Sequence, residues 1–420
     1  MIKQLLLICS LALISGIQST FAQNVKNEPL EYNYIKLPLT PLPSTIKNYQ
    51  STIFAPFEVE NDKKKAAYEA ELAVEEAKYQ KEMQEYPAKL KAAEDVYALE
   101  MAEWEKKSLA EKVVEKQLLN ENNKPVKRLP STPYKRTIPQ PQLKSSYDYP
   151  ALCATYIILG GYNNSFENSV KIDVTLNGFD YTHPKQVSEV KQMTSVKNGV
   201  SSSYSETYYH IEFSYRHTMS VRVTLPDGKE LFFVTPQELN TYKIYKSGET
   251  KTSQVINEEV LVKTYEEKIL QENLKLINDL VNDKIGFKRE LRKTEFSYVK
   301  GKDDLYADLM LGYNVGTSAL KSLLDDPESA KTKLESVVKT YSIALEESEL
   351  ENKKARIDKE VTTMIYFNLL EVYFALSNVA EAEKIFGIFN TMSLSSSTSK
   401  QKGIYESLFT DLKKRIAANQ

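Results

Sequence analysis

The sequence predicts a multidomain α+β protein. Its parts are a long charged helical segment, an antiparallel β-sandwich-like domain and a C-terminal α-helical domain. Three observations predict this. Residues 61–119 hold no glycine and one proline, and are dominated by Ala, Glu, Lys and Leu, which are strong helix formers. From Tyr209 to Leu225 apolar residues recur at every second position except His217, the period of a half-buried strand. Beyond Asn257 the apolar spacing becomes helical. The chain has 420 residues, enough for two or three domains. A net charge of −2 and only two cysteines argue against a nucleic-acid binder and a disulfide scaffold.

Residues 1–22 have the three-part pattern of a secretory signal peptide. Lys3 supplies the positive region, Leu5 to Ile17 the apolar core, and Ala22–Gln23 a cleavage point. The apolar core is shorter than the ~20 residues that span a bilayer. Removal of the signal would leave Cys153 as the only cysteine. No other long apolar run follows, so no transmembrane span is expected, although peripheral attachment remains open. The style of the signal points to export in a Gram-negative cell, to the periplasm or an outer-membrane face.

Prolines divide the rest: 12 of the 16 lie in the first 150 residues. Residues 23–60 carry Pro29, Pro38, Pro41, Pro43 and Pro56 among many Tyr, Leu and Ile, and read as an extended arm lying on another surface. Residues 120–150 are more polar and read as a Pro-rich extended linker, with a peptide ligand for a partner as the sharper alternative.

Between them, 61–119 shows a repeat offset by 18 residues, which pairs Tyr79 with Tyr97 and Tyr86 with Trp104. Eighteen residues are five helical turns, so Tyr68, Tyr79, Tyr86, Tyr97 and Trp104 share one face. That stripe needs cover. Either the segment folds back at Pro87 as a hairpin, or it runs on as a long helix suited to coiled-coil pairing. These five aromatics are the candidate partner contacts, and a homo-oligomer through 61–119 is one form the contact could take.

Residues 151–250 read as the antiparallel β domain. Leu152–Leu159 is a continuous apolar run read as a buried strand, and Val170–Leu176 alternates. Pro226-Asp227-Gly228 supplies a hairpin turn, and Tyr242 and Ile244 suggest a last strand. The Ser-rich stretch 186–206 is expected to be a long exposed loop.

Residues 255–417 read as a helical domain. Asn257 begins one helix that ends before Gly286, and further patterns cover about 303–323, 328–346, 354–376, 379–392 and 400–417. Tyr366-Phe367-Asn368-Leu369-Leu370-Glu371-Val372-Tyr373 resembles the first helix of a tetratricopeptide repeat. Tyr366, Leu369 and Tyr373 fall on its large-residue positions, and Ala382 and Phe386 on the small and aromatic positions of the second helix. Leu370 and Phe389 depart from the pattern. The resemblance implies helix pairs with a groove for a peptide or protein, and it brings no catalytic residues.

No catalytic, cofactor-binding or metal-binding constellation emerges. His210 and His217 are seven apart and face opposite sides of a strand, and no phosphate-binding loop or nucleophile motif appears. The expectation is therefore a non-enzymatic scaffold or adaptor of the cell envelope with protein partners. A glycan- or peptide-binding module using Tyr204, Tyr208, Tyr209 and Tyr215 is one alternative. A hydrolase with a dispersed site is the other.

Overall fold

A computed structural model describes residues 24–117, 124–197, 199–300 and 304–420. The expected signal peptide lies outside the described residues. In chain order the elements are β1 (Asn24–Lys36), β2 (Asn48–Phe54), α1 (Phe57–Lys106), α2 (Leu109–Gln117) and α3 (Tyr149–Tyr156). Next come β3 (Asn163–Asn164), β4 (Ser169–Tyr181), β5 (Lys185–Lys197), β6 (Val200–Thr224), β7 (Glu230–Val234), α4 (Gln237–Asn240) and β8 (Lys243–Lys246). Then follow α5 (Glu258–Ile285), β9 (Lys288–Lys300), α6 (Ala307–Lys321), α7 (Pro327–Leu345), α8 (Lys359–Ala375), α9 (Val379–Thr391) and α10 (Ser396–Ala418). The chain is α+β, with a main sheet and C-terminal helices.

The β region is one seven-stranded sheet packed on helix α5, not a sandwich of two sheets. Met219, Val221 and Val223 of β6 and Ile172, Val174 and Leu176 of β4 bury against Leu274, Ile277 and Val281. The alternation from Tyr209 onwards marks this helix-facing side, and helix α5 takes the place a second sheet would have filled. A bulge between Leu176 and Phe179, with Gly178 at φ +88°, resets the alternation so that Phe179 also faces α5. A side chain at Gly178 would collide with Lys144.

Three local expectations are corrected. Leu152–Leu159 is not a strand. Asp148 caps the amide of Ala151, Pro150 sits in the first turn, and helix α3 follows. The same run still buries Cys153, Ile157 and Leu159 in the sheet core. Residues 186–206 are not a loop. They form a ribbon in which β5 and β6 pair from Lys185↔Glu212 to Lys197↔Val200. Residues 24–54 are largely extended, as expected, but as strands paired within the fold rather than as a separate arm. β2 pairs in parallel with β4, and β1 pairs with β9 along all 13 residues. Pro29 is accommodated because this ribbon has only two strands, each with a free edge.

The β1–β9 ribbon packs on the C-terminal helices. Leu30, Tyr32 and Phe296 join Leu334, Tyr341, Leu370 and Phe389 in the second large core. Asn368 fixes the ribbon by donating to the Ser297 carbonyl (2.7 Å) and accepting from its amide (2.9 Å). Arg415, 4% exposed, ties the two cores together. It donates from α10 to the carbonyls of Leu37 (2.7 Å) and Asp283 (3.1 Å) and pairs with the Asp283 carboxylate (2.7 Å).

Candidate functional site: a strapped helical arm

The 61–119 segment does not fold back at Pro87. Helix α1 runs through it for 50 residues, about 75 Å at the α-helical rise. Asn61 is its one buried residue, so the helix leaves the body within its first turns.

The Pro-rich segment 124–147 runs back along α1 in extended form, antiparallel to it. Lys127 pairs with Glu94 (2.9 Å), Lys135 with Glu76, and Arg136 with Glu71. The Arg136 amide donates to Glu75 (3.1 Å). At the root, Asn61 donates to the Lys144 carbonyl (2.9 Å) and accepts from the Lys144 amide (3.1 Å). The lengths match. Glu94 to Asn61 covers about 50 Å of helix, and Lys127 to Lys144 covers about 53 Å at the rise of polyproline II. The expected linker is therefore a strap.

Composition explains why the strap stays on the helix. Helix α1 carries 14 acidic and 8 basic residues, whereas residues 124–147 carry six basic residues and no acidic one. Prolines hold the strap extended before it binds, which lowers the entropy lost on docking. Pro130, Pro133 and Pro141 are half-buried and Ile138 is buried, while Tyr134 points to solvent.

Tyr68, Tyr79, Tyr86, Tyr97 and Trp104 are all half-buried on the face the strap crosses. Sequence reasoning found the stripe but expected a second chain or a packed hairpin as its cover, and the strap now occupies that face. At the tip, Trp104 lies beneath the ammonium groups of Lys112 (4.3 Å) and Lys124 (5.6 Å). The exposed apolar residues of this end include Val96, Leu99, Leu109, Val113 and Val126.

The root is held by charge-assisted bonds. Glu58 accepts from Ser146 (2.8 Å) and Tyr149. Burial works against its charge, but the bonds from Tyr149, Ser146 and Asn61 hold its carboxyl below the usual range.

The β5–β6 ribbon is a second projection. Ion pairs Lys191–Glu249 (2.6 Å) and Lys251–Glu206 (2.6 Å) brace its middle. It does not gather the four tyrosines suggested for ligand reading. Tyr204 and Tyr208 share one ribbon face, Tyr209 takes the other, and Tyr215 is buried against α5.

The repeat-like residues all lie in the helical core. Leu369, Tyr373, Ala382 and Phe386 are buried, and Tyr366 packs edge-on against Phe389 at 5.6 Å. The link between α8 and α9 turns at Ser377, with φ +54°.

Sequence reasoning missed the buried carboxylate of Glu371. It accepts from Tyr32 (2.6 Å), Thr294 (3.0 Å), Tyr405 (2.7 Å) and twice from Arg292 (2.9 Å each). Burial alone would raise Glu371, but Arg292, Tyr32 and Tyr405 outweigh it and hold the carboxyl below its usual range. With every partner in place, this cluster is a clamp between β1, β9, α8 and α10.

Among the described residues, no group of three or more His, Cys, Asp or Glu could hold a metal ion. No described helix is long and apolar enough to cross a membrane. Comparison with known proteins found no matching family model, no matching curated protein and no matching solved structure.

Proposed function

We propose that this protein is a non-enzymatic scaffold or adaptor, exported to the cell envelope, that works through protein–protein contacts. The observation that carries this reading is the strapped arm. A 50-residue helix with one buried residue stabilises no core, and its complementary strap stiffens it as a spacer. The exposed apolar residues at its far end suit a partner contact. The β5–β6 ribbon adds a second projection. The C-terminal helix pairs, read as tetratricopeptide-like, would supply a further protein-binding surface.

Site-specific photo-crosslinking tests this. A crosslinker placed at Leu99 or Leu109, in the full-length protein in its native cells, should trap one reproducible protein partner. The same group at Lys333, on the helical body, should not trap it. Absence of any specific adduct from the tip would overturn the reading.

A further inference from the structure

A crevice of about 830 Å³ opens at the root of the arm, between the strap, β4 and the first half of α5. Its walls include Tyr147 from the strap, Phe179 and Tyr181 from β4, and Val262 from α5. The Phe179 and Tyr181 ring centroids lie 6.0 Å apart, tilted by 32°, and both residues line the crevice. Glu266 also lines the crevice and is 6% exposed.

Glu266 is the anomaly. Ser145 donates to one carboxylate oxygen (2.7 Å), but no Lys or Arg among the described residues forms an ion pair with it. The Tyr147 hydroxyl lies beside it and supplies a second, neutral bond. The other buried carboxylate, Glu371, is neutralised by Arg292 and satisfied on both oxygens. A buried carboxyl without a counter-charge is costly and is seldom retained for stability.

The surrounding charges do not supply the missing partner. Lys144 is engaged by the Asn177 carbonyl (3.0 Å) and Asp180 (3.4 Å). Lys64, Lys263, Glu259 and Glu267 are exposed at the rim, two of each sign, and offer the buried Glu266 no net counter-charge. Burial raises the Glu266 carboxyl, and Glu267 adds to this, against bonds from Ser145 and Tyr147 and the charge of Lys144. A cation entering the crevice would reverse that penalty.

We propose that this crevice binds a small organic ammonium ion, with Glu266 as its counter-ion and the Phe179, Tyr181 and Tyr147 rings as its walls. A carboxylate gives the cation a charge-assisted bond, and ring faces attract the alkyl-ammonium surface. A neutral ligand would leave the carboxyl unpaired. Because Ser145 and Tyr147 belong to the strap and Glu266 to α5, an occupant also joins the arm to the body. The site does not depend on which partner the arm meets.

Titration calorimetry on the full mature chain at neutral pH and low salt tests the proposal. The probes are n-butylammonium and tetramethylammonium chloride, with n-butanol as the neutral control. Saturable binding of an ammonium and not of butanol is expected. Glu266→Gln should weaken it about tenfold or more, the usual scale for losing a charge partner. Tyr181 is 43% exposed, so Tyr181→Leu should keep the fold and weaken binding several-fold. No saturable ammonium binding, equal binding of butanol, or undiminished binding in both variants would each overturn the site.

Discussion

Arg292 meets Glu371 through two parallel hydrogen bonds, both 2.9 Å, in a position where the carboxylate is fully buried. β9 supplies the arginine and α8 the glutamate, so the pair pins the β1–β9 ribbon to the helices. Arg292→Ala would strand a buried negative charge, at a cost of about 3–5 kcal/mol. The double change Arg292→Met with Glu371→Gln removes both charges but leaves Tyr32, Thr294 and Tyr405 an oxygen to donate to, and should recover much of that loss. Urea unfolding of the three proteins checks it, and equal destabilisation in the single and double variants would refute the clamp.

The strap is held by exposed ion pairs, which are individually weak and screened by salt. The Arg136 amide, bonded to Glu75, reports whether the strap is docked. Its hydrogen exchange should speed up several-fold between low salt and half-molar salt, and Glu71→Lys with Glu76→Lys should have the same effect at low salt. Exchange at Leu274 in the sheet core should not change.

How far the sequence reached depends on how local each signal was. The stripe from Tyr68 to Trp104 repeats along one helix, so its existence and face were legible. Its cover was not, because the strap lies 33 or more residues away in pairs such as Lys127–Glu94. The block of six basic residues without an acidic one was the available sign. The β6 face from Tyr209 was legible by parity, whereas the ribbon before it was not, because serines exposed on both faces show no alternation. Pro150 marked a boundary that proved to be a helix start. Nothing local distinguished Glu371, with its helical neighbours, from a surface glutamate. Its partners Tyr32 and Arg292 come from strands far away in the chain.

His217 gives the fold an acid sensitivity. It is 3% exposed, its Nδ1 has no hydrogen-bond partner among the described residues, and Phe179 packs edge-on at 5.7 Å. Burial lowers its pKa from 6.5 to about 4, with Asp180 opposing and Lys144 assisting. The unfolded chain therefore takes up a proton below pH 6.5 that the folded chain refuses. The stability this contributes is present above 6.5 and is lost as the pH falls towards 4, by about 3 kcal/mol in all. His217→Phe should flatten the fall in urea midpoint between pH 6.5 and 5. Carboxylates held low in the fold, such as Glu371 and Asp180, lose their contribution only at lower pH. An unchanged slope would show that His217 is protonated in the folded protein.

Pro87 lies inside α1, exposed, with helix continuing on both sides. Its ring removes the bond that an amide at 87 would donate to the Met83 carbonyl, and it crowds that carbonyl. In a helix interior this costs about 3 kcal/mol. Because the arm belongs to no core, the cost is local, and hydrogen exchange reads it better than global unfolding. Pro87→Ala should slow amide exchange on both sides of the site, from Gln84 to Lys91, and leave the body unchanged. The strap makes this test informative. Glu76 and Glu94 anchor it on either side of Pro87, so a bend there would change the path between the two anchors. If the strap requires that bend, Pro87→Ala would speed exchange at the Arg136 amide while slowing it in the helix. If the strap tolerates a straight helix, both regions would become more protected. Exchange unchanged in both would show that the proline costs this helix nothing.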